Sequence, residues 1–135
     1  MLRIELGDFL VIAEIHTGID AHALARIPRV VQLAEAALAA PFAGFGDVEL
    51  FTEFHAKAAV YCSRIVTYHP LPDGNKRTGY DVMVEFVERN GATWTHPVAG
   101  LDETAQMIEG LAARLADEAT FINWVAHRIT EAQTR

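Results

Sequence analysis

From Leu50 to Tyr68 the side chains Leu50, Phe54, Ala58, Tyr61, Ile65 and Tyr68 recur at spacings of three and four. That period lays one apolar stripe along about five turns of α-helix. The stripe must stop at His69, because Pro70 disfavours helical backbone in the residue before it. A second helical pattern follows at once, from about Asn75 to Glu88, with Asn90-Gly91 as its C-terminal cap. Val82 and Phe86 occupy one of its faces, and Tyr80, Val84 and Val87 another. Apolar residues on more than one side predict a central helix surrounded by others.

The remaining chain is read the same way. A first helix is expected from about Asp8 to Thr17, with Asp8 as N-cap and Gly18 as the stop. A second starts near Asp20 or Pro28 and carries Val30, Val31, Leu33, Ala34, Ala37 and Leu38 before Pro41. Pro41 to Gly46 breaks the pattern and reads as a loop with exposed rings or a short hairpin. Thr93-Trp94-Thr95 reads as a short extended piece, followed by helices near Leu101–Ala116 and Thr120–Arg128. The expected fold is all-α, a compact bundle of about six helices around the 75–88 helix, with one short loop at 41–46.

Length agrees with one domain over 1–135, since a domain takes roughly 100–200 residues. Chains of about this size bury some 68–70% of their unfolded surface. A composition 51% hydrophobic and 21% charged, with no low-complexity tract, excludes disorder. Eleven Lys and Arg against 18 Asp and Glu leave a net charge of −7, which argues against a general nucleic-acid binder. The single cysteine, Cys62, makes no internal disulfide and no Cys-rich zinc site, and fits a reducing compartment. Acids within the first eight residues interrupt any signal peptide, and no stretch is long and apolar enough to span a bilayer. A cytoplasmic protein is expected.

Between the two best helices lies His69-Pro70-Leu71-Pro72-Asp73-Gly74-Asn75-Lys76-Arg77-Thr78. A helix N-terminus has backbone N–H groups without internal partners and a partial positive charge, so it attracts anions. Gly74 lets a phosphate approach the backbone, and Asn75, Lys76 and Arg77 add donors and charge at the same end. Cations in a first turn oppose the helix dipole, which disfavours them unless an anion is bound. Asp73 suits a hard cation such as Mg²⁺, which takes one or two carboxylates plus substrate phosphates. His69 is the side chain suited to take a proton near neutral pH. Pro-Asp-Gly-Asn is also an ordinary turn before a helix cap. It is the addition of His69, Lys76 and Arg77 in this order that favours a phosphate site. There is no Walker-type glycine loop.

Residues His69 to Arg77 resemble the signature of the Fic/Doc superfamily: His, Pro, usually Phe, any residue, Asp or Glu, Gly, Asn, Gly or Lys, then Arg. The helix order, the loop at 41–46, Asn90-Gly91 and the overall length are similar to the Doc branch, the death-on-curing toxins. The resemblance implies that His69 is the general base acting on a target protein's hydroxyl. It implies that Asp73 binds Mg²⁺, that Gly74 and Asn75 form the anion-holding turn, and that Lys76 and Arg77 bind the phosphates of ATP. Phe42, Gly44, Phe45 and Gly46 fall where the family carries a flap that aligns the target's backbone.

Three departures bear on the reaction. Leu71 stands where the family usually has Phe and keeps a large apolar side chain. Lys76 replaces the Gly of the adenylylating enzymes, and Tyr80 replaces their second Arg. Both changes match the Doc branch, in which the nucleotide sits reversed and the terminal phosphate is transferred. The resemblance therefore implies a toxin kinase, with elongation factor Tu as the target and a separate antitoxin as the control. A Fic-type adenylyltransferase and a degenerate, non-catalytic binding module are the alternatives. The family's inhibitory motif is absent: Glu109-Gly110 comes nearest, but position 105 is Ala105.

His16, His22, His55, His96 and His127 show no ligand spacing and read as core or surface residues, with His55 the nearest to the stripe. Cys62 reads as a small core residue, and Trp94 and Trp124 as core anchors. Glu103, Glu109, Asp117 and Glu118 read as a solvated acidic face.

Overall fold

The computed structural model describes residues 1–95 and 103–131. Its helices are α1 (Leu6–Thr17), α2 (Ala21–Leu24), α3 (Pro28–Ala39), α4 (Phe54–Tyr68), α5 (Asn75–Arg89), α6 (Glu103–Ala112) and α7 (Glu118–Ala126). Two small antiparallel ladders complete it: β1 (Gly44–Phe45) with β2 (Val48–Glu49), and β3 (Thr93–Trp94) with β4 (Ile129–Thr130). The fold is all-α, as expected. His96 and Leu101, two positions read from the sequence, lie outside the described residues.

Several boundaries differ from expectation, each for a local reason. Seven helices stand among the described residues rather than six, because both candidate starts of the second stretch are used. Asp20 caps α2 by accepting from the backbone N–H of His22 and Ala23, while Pro28 opens α3 at a position that needs no donor. α1 begins at Leu6, not after Asp8: Glu5 is its N-cap, and Asp8 reaches back to the Glu5 N–H in a capping box. α4 begins at Phe54, because the N–H of Leu50 donates to the Ala43 carbonyl and closes the hairpin instead. Leu50 is thereby removed from the stripe and exposed. Gly18, Asn90 and Gly91 terminate their helices where the sequence places the stops.

The most enclosed helix is α4, not α5. Ten of its 15 residues are buried, and it packs against α3, α5, α6 and α7. In α5, Tyr80 and Val84 are only partly covered. The two helices approach closely at Gly79, where an added Cβ would lie 3.2 Å from the Cys62 carbonyl oxygen and 3.2 Å from Val66. Glycine inside a helix costs about 1 kcal/mol relative to alanine, so its place here is explained by the approach of α4. The core fills around it with Phe9, Leu24, Tyr61, Ile65, Leu71, Met83, Phe86 and Phe121. Burial pushes the Cys62 thiol well up, which suits an inert core residue.

Polar clasps fix the periphery. Asn90 accepts from the Leu2 N–H (2.7 Å) and donates to the Leu2 and Phe86 carbonyls (both 2.8 Å), sewing the start of the chain to the end of α5. Arg64 on α4 grips Glu118 of α7 with two bonds of 2.8 and 3.0 Å, and Ser63 donates to the same carboxylate. Burial pushes Glu118 up, but the bonds from Arg64 and Ser63 outweigh it and hold the carboxyl below its ordinary 4.5. Lys57 is 3% exposed: its ammonium donates to the Phe51 carbonyl and pairs with Glu49 at 3.3 Å, anchoring the β1–β2 hairpin to α4. No described helix is long and apolar enough to cross a membrane.

Two outcomes follow. Gly79→Val drives methyl groups into α4 and lowers stability by about 1–3 kcal/mol, measured by urea unfolding. A carboxylate lowered on folding stabilises fully above its unfolded value, and that stability is lost as pH falls through the folded value. Thermal midpoints should therefore fall below about pH 4.5, and Glu118→Gln should flatten that acid limb; an unchanged slope would contradict the role given to this pair.

Candidate active site

The turn between α4 and α5 is built from its backbone outward. His69 ends α4 in left-handed geometry, φ 55° and ψ 56°, with its N–H on the Ile65 carbonyl at 3.1 Å. Arg29 of α3 donates to the carbonyls of His69 (3.1 Å) and Pro70 (3.4 Å). Leu71 is fully buried, so the position where the family usually carries Phe keeps its core role. Asn75 is also buried. Its amide accepts from the Leu71 N–H and donates to the Leu71 carbonyl, both at 2.9 Å. The Asn75 side chain thus shapes the turn from within.

Gly74 is the N-cap of α5 at φ 77°. A Cβ there would lie 3.2 Å from both Cβ and the carbonyl oxygen of His16, so glycine is required by conformation and by the approach of α1. His16 itself bonds Asp81 of α5, Nε2 to Oδ2 at 2.5 Å. The end of α1 is thereby locked to α5 directly beside the turn.

His69, Asp73, Gly74, Asn75, Lys76 and Arg77 line one cavity of about 570 Å³. His16, Val66, Thr67, Ala112 and Arg114 complete its wall. Three cations, Lys76, Arg77 and Arg114, face a single carboxylate, Asp73, in a chain of net charge −7. The local field therefore favours an anion. Lys76 is partly engaged: its ammonium bonds Glu109 of α6 at 2.8 Å. That pair is about half exposed, and such pairs contribute about 0–1 kcal/mol, so a phosphate can displace or share it. Among the described residues, Asp73, Arg77 and Arg114 have no side-chain hydrogen bond or ion pair, and no three potential metal ligands cluster. A lone, unengaged carboxylate beside three cations fits Mg²⁺, which keeps most of its coordination for water and phosphate oxygens.

Position 80, where the adenylylating enzymes carry a second Arg, is occupied differently. The Tyr80 hydroxyl accepts from the Trp94 indole N–H at 3.0 Å, and the two rings meet edge to face at 6.0 Å. This side chain brings no charge to the cavity.

Arg114 was not visible in the sequence as a site residue. It occupies the C′ position after α6: its N–H donates to the Leu111 carbonyl (3.1 Å) and the Leu115 N–H to the Gly110 carbonyl (2.8 Å). Helices that end this way usually place glycine at C′. Arg114 adopts φ 58° there, at about 1–2 kcal/mol. A cation at a helix C-terminus recovers only about 0.3–1 kcal/mol. His16, Arg29, Asp81 and Arg114 each come from a separate element, and spacing along the chain gives no sign that they converge.

The residues matched to a flap separate. Gly44, Phe45 and Gly46 belong to the β1–β2 hairpin and its tip, with the Phe45 ring 82% exposed. Phe42 does not lie in the hairpin. It ends a short 3-10 turn (Ala40–Phe42) and packs edge-on against Tyr61 and Phe86 at 6.1 and 6.3 Å. None of these four lines the cavity, nor does His55.

No curated protein and no solved structure matches the chain. The family model of the Fic/DOC family matches residues 8–87, from α1 through most of α5 and across the whole of the His69–Arg77 turn. With more than half of its length matched and an all-α fold built around that turn, the chain belongs to the Fic/DOC family.

Proposed function

We propose that this chain is a Doc-like toxin kinase, which moves the terminal phosphate of ATP to a hydroxyl of a target protein. Members of the family generally transfer nucleotide or phosphate groups to proteins. The observation that carries the finer reading is the convergence of His69, Asp73 and the cationic first turn of α5 on one cavity. Lys76 supplies charge where adenylylating enzymes have glycine, and Tyr80, tied to Trp94, supplies none where they have arginine. That redistribution favours a nucleotide held with its terminal phosphate towards His69. The whole chain then acts as one cytoplasmic Fic/DOC domain, its target a translation factor such as elongation factor Tu, its control a separate antitoxin.

In this reading the imidazole of His69 removes the proton from the target hydroxyl. The oxygen attacks the terminal phosphorus, the bond to the bridging oxygen breaks, and ADP leaves with that oxygen's electron pair. The unpaired N–H groups of the first turn of α5, Lys76 and Arg77 hold the polyphosphate, and positioning with charge stabilisation supplies most of the catalysis. Asp73 would hold Mg²⁺, which when bound neutralises phosphate charge. The hairpin, with Phe45 exposed, is the edge on which the target's backbone docks.

Incubation with Mg·ATP and elongation factor Tu should add one phosphate to the factor by intact mass. Addition of AMP would instead establish an adenylyltransferase. His69→Ala should slow transfer by about 10²–10⁴ while Mg·ATP binding, by calorimetry, stays within about threefold. Unchanged transfer would remove His69 from the mechanism. Lys76→Gly should weaken phosphate transfer. Glu109→Gln frees Lys76 and should tighten Mg·ATP binding by no more than about fivefold, the ceiling for an exposed pair.

A further inference from the structure

Only two non-glycine residues among those described have positive φ, His69 at 55° and Arg114 at 58°, and both line the same cavity. Left-handed geometry at a non-glycine residue persists where the surroundings impose it, and it concentrates at functional sites. At His69 the imposed element is the turn that presents the imidazole. At Arg114 no packing demand accounts for it: the side chain is exposed, and glycine would satisfy the same two backbone hydrogen bonds without strain.

The surroundings of Arg114 narrow its role. A second cavity, of about 440 Å³, adjoins the first, and Thr67 and Arg114 line both. Its carboxylates are already engaged, Asp117 in capping α7 through the Thr120 N–H and Glu118 by Arg64 and Ser63. The guanidinium is therefore not held by a neighbouring acid. Within the phosphate cavity it joins Arg77 as a cation with no described partner, whereas Lys76 is shared with Glu109. A polyphosphate bound only by the α5 turn would meet one unshared cation; with Arg114 it meets two, from different helices.

We propose that Arg114 is a phosphate-contacting residue, which grips the polyphosphate of the nucleotide from the end of α6 while the first turn of α5 holds it from below the turn. The proposal rests on the nucleotide reading given above. A guanidinium suits this task because its planar fork bonds two phosphate oxygens at once. At position 114 an arginine thus stands where the backbone favours glycine, and its side chain is the group that gains from that placement.

That opposition supplies the test. Arg114→Gly relieves the backbone and removes the cation, so its thermal midpoint should equal or exceed that of the unaltered chain. Its Mg·ATP and inorganic tripolyphosphate affinities should both fall by about tenfold or more, as measured by calorimetry. Arg114→Lys should recover part of the loss, since it restores charge without the fork. Arg77→Ala serves as the reference for loss of a cation from the α5 turn. If Arg77→Ala weakens binding and Arg114→Gly does not, the proposal is overturned and the nucleotide reading stands. If the unaltered chain binds neither Mg·ATP nor tripolyphosphate, the nucleotide reading fails and the proposal with it.

Discussion

Both backbone groups of Leu71 are held by one buried side-chain amide, that of Asn75, and the site follows from this clasp. The chain must reverse between two long helices that are themselves forced together at Gly79. A buried turn with unpaired N–H and C=O groups would be strongly disfavoured, and a single amide supplies a donor and an acceptor to satisfy both. With Leu71 locked into the core, His69 is displaced outward at one end of the turn. Gly74 is set against α1 at the other end, and the first turn of α5 is left open to the cavity. The polar residues facing solvent are thus placed by apolar packing beneath them.

Charge is arranged on two scales. The surface as a whole is acidic and repels polyanions, while the cavity carries three cations around one carboxylate. At about 8 Å of screening length in physiological salt, the two scales are largely independent. A small anion within the cavity feels the nearby guanidinium groups and the helix end, and a long nucleic acid feels the acidic exterior. The same separation explains why Glu109 can sit beside Lys76 without abolishing the site: it is an exposed partner, weakly held, at the edge of a field set mainly by other groups.

The sequence made the two long helices legible because their stripes are long and end in unambiguous signals, Pro70 and Asn90-Gly91. The His69–Arg77 run was legible because all its members are local. What spacing could not show was convergence. Arg29, His16, Asp81 and Arg114 approach the turn from α3, α1, α5 and the end of α6, and only Asp81 shares an element with the motif. Leu50 and Phe42 misled in opposite directions for a related reason. Leu50 reads as part of a buried stripe, and Phe42, within the Pro41–Gly46 break, reads as an exposed ring. Backbone pairing decides instead, drawing Leu50 out to close the hairpin and leaving Phe42 to pack on Tyr61 and Phe86. Buried Lys57 shows a further limit: a lone lysine on an apolar helix reads as an interruption until the hairpin it anchors is seen.

α3 carries Arg29 near its first residue and hands the chain, through Ala40–Phe42, to the β1–β2 hairpin beyond its last. Its 12 residues make a strut about 18 Å long, clamped to the carbonyls of His69 and Pro70 at one end and to the exposed strand pair at the other. The hairpin and the His69 turn are thus joined twice by helix, through α3 and through α4, whose first turn Lys57 ties to the hairpin and whose last residue precedes His69. A displacement of the strand pair is thereby carried to the site by two rigid rods rather than absorbed in a loop.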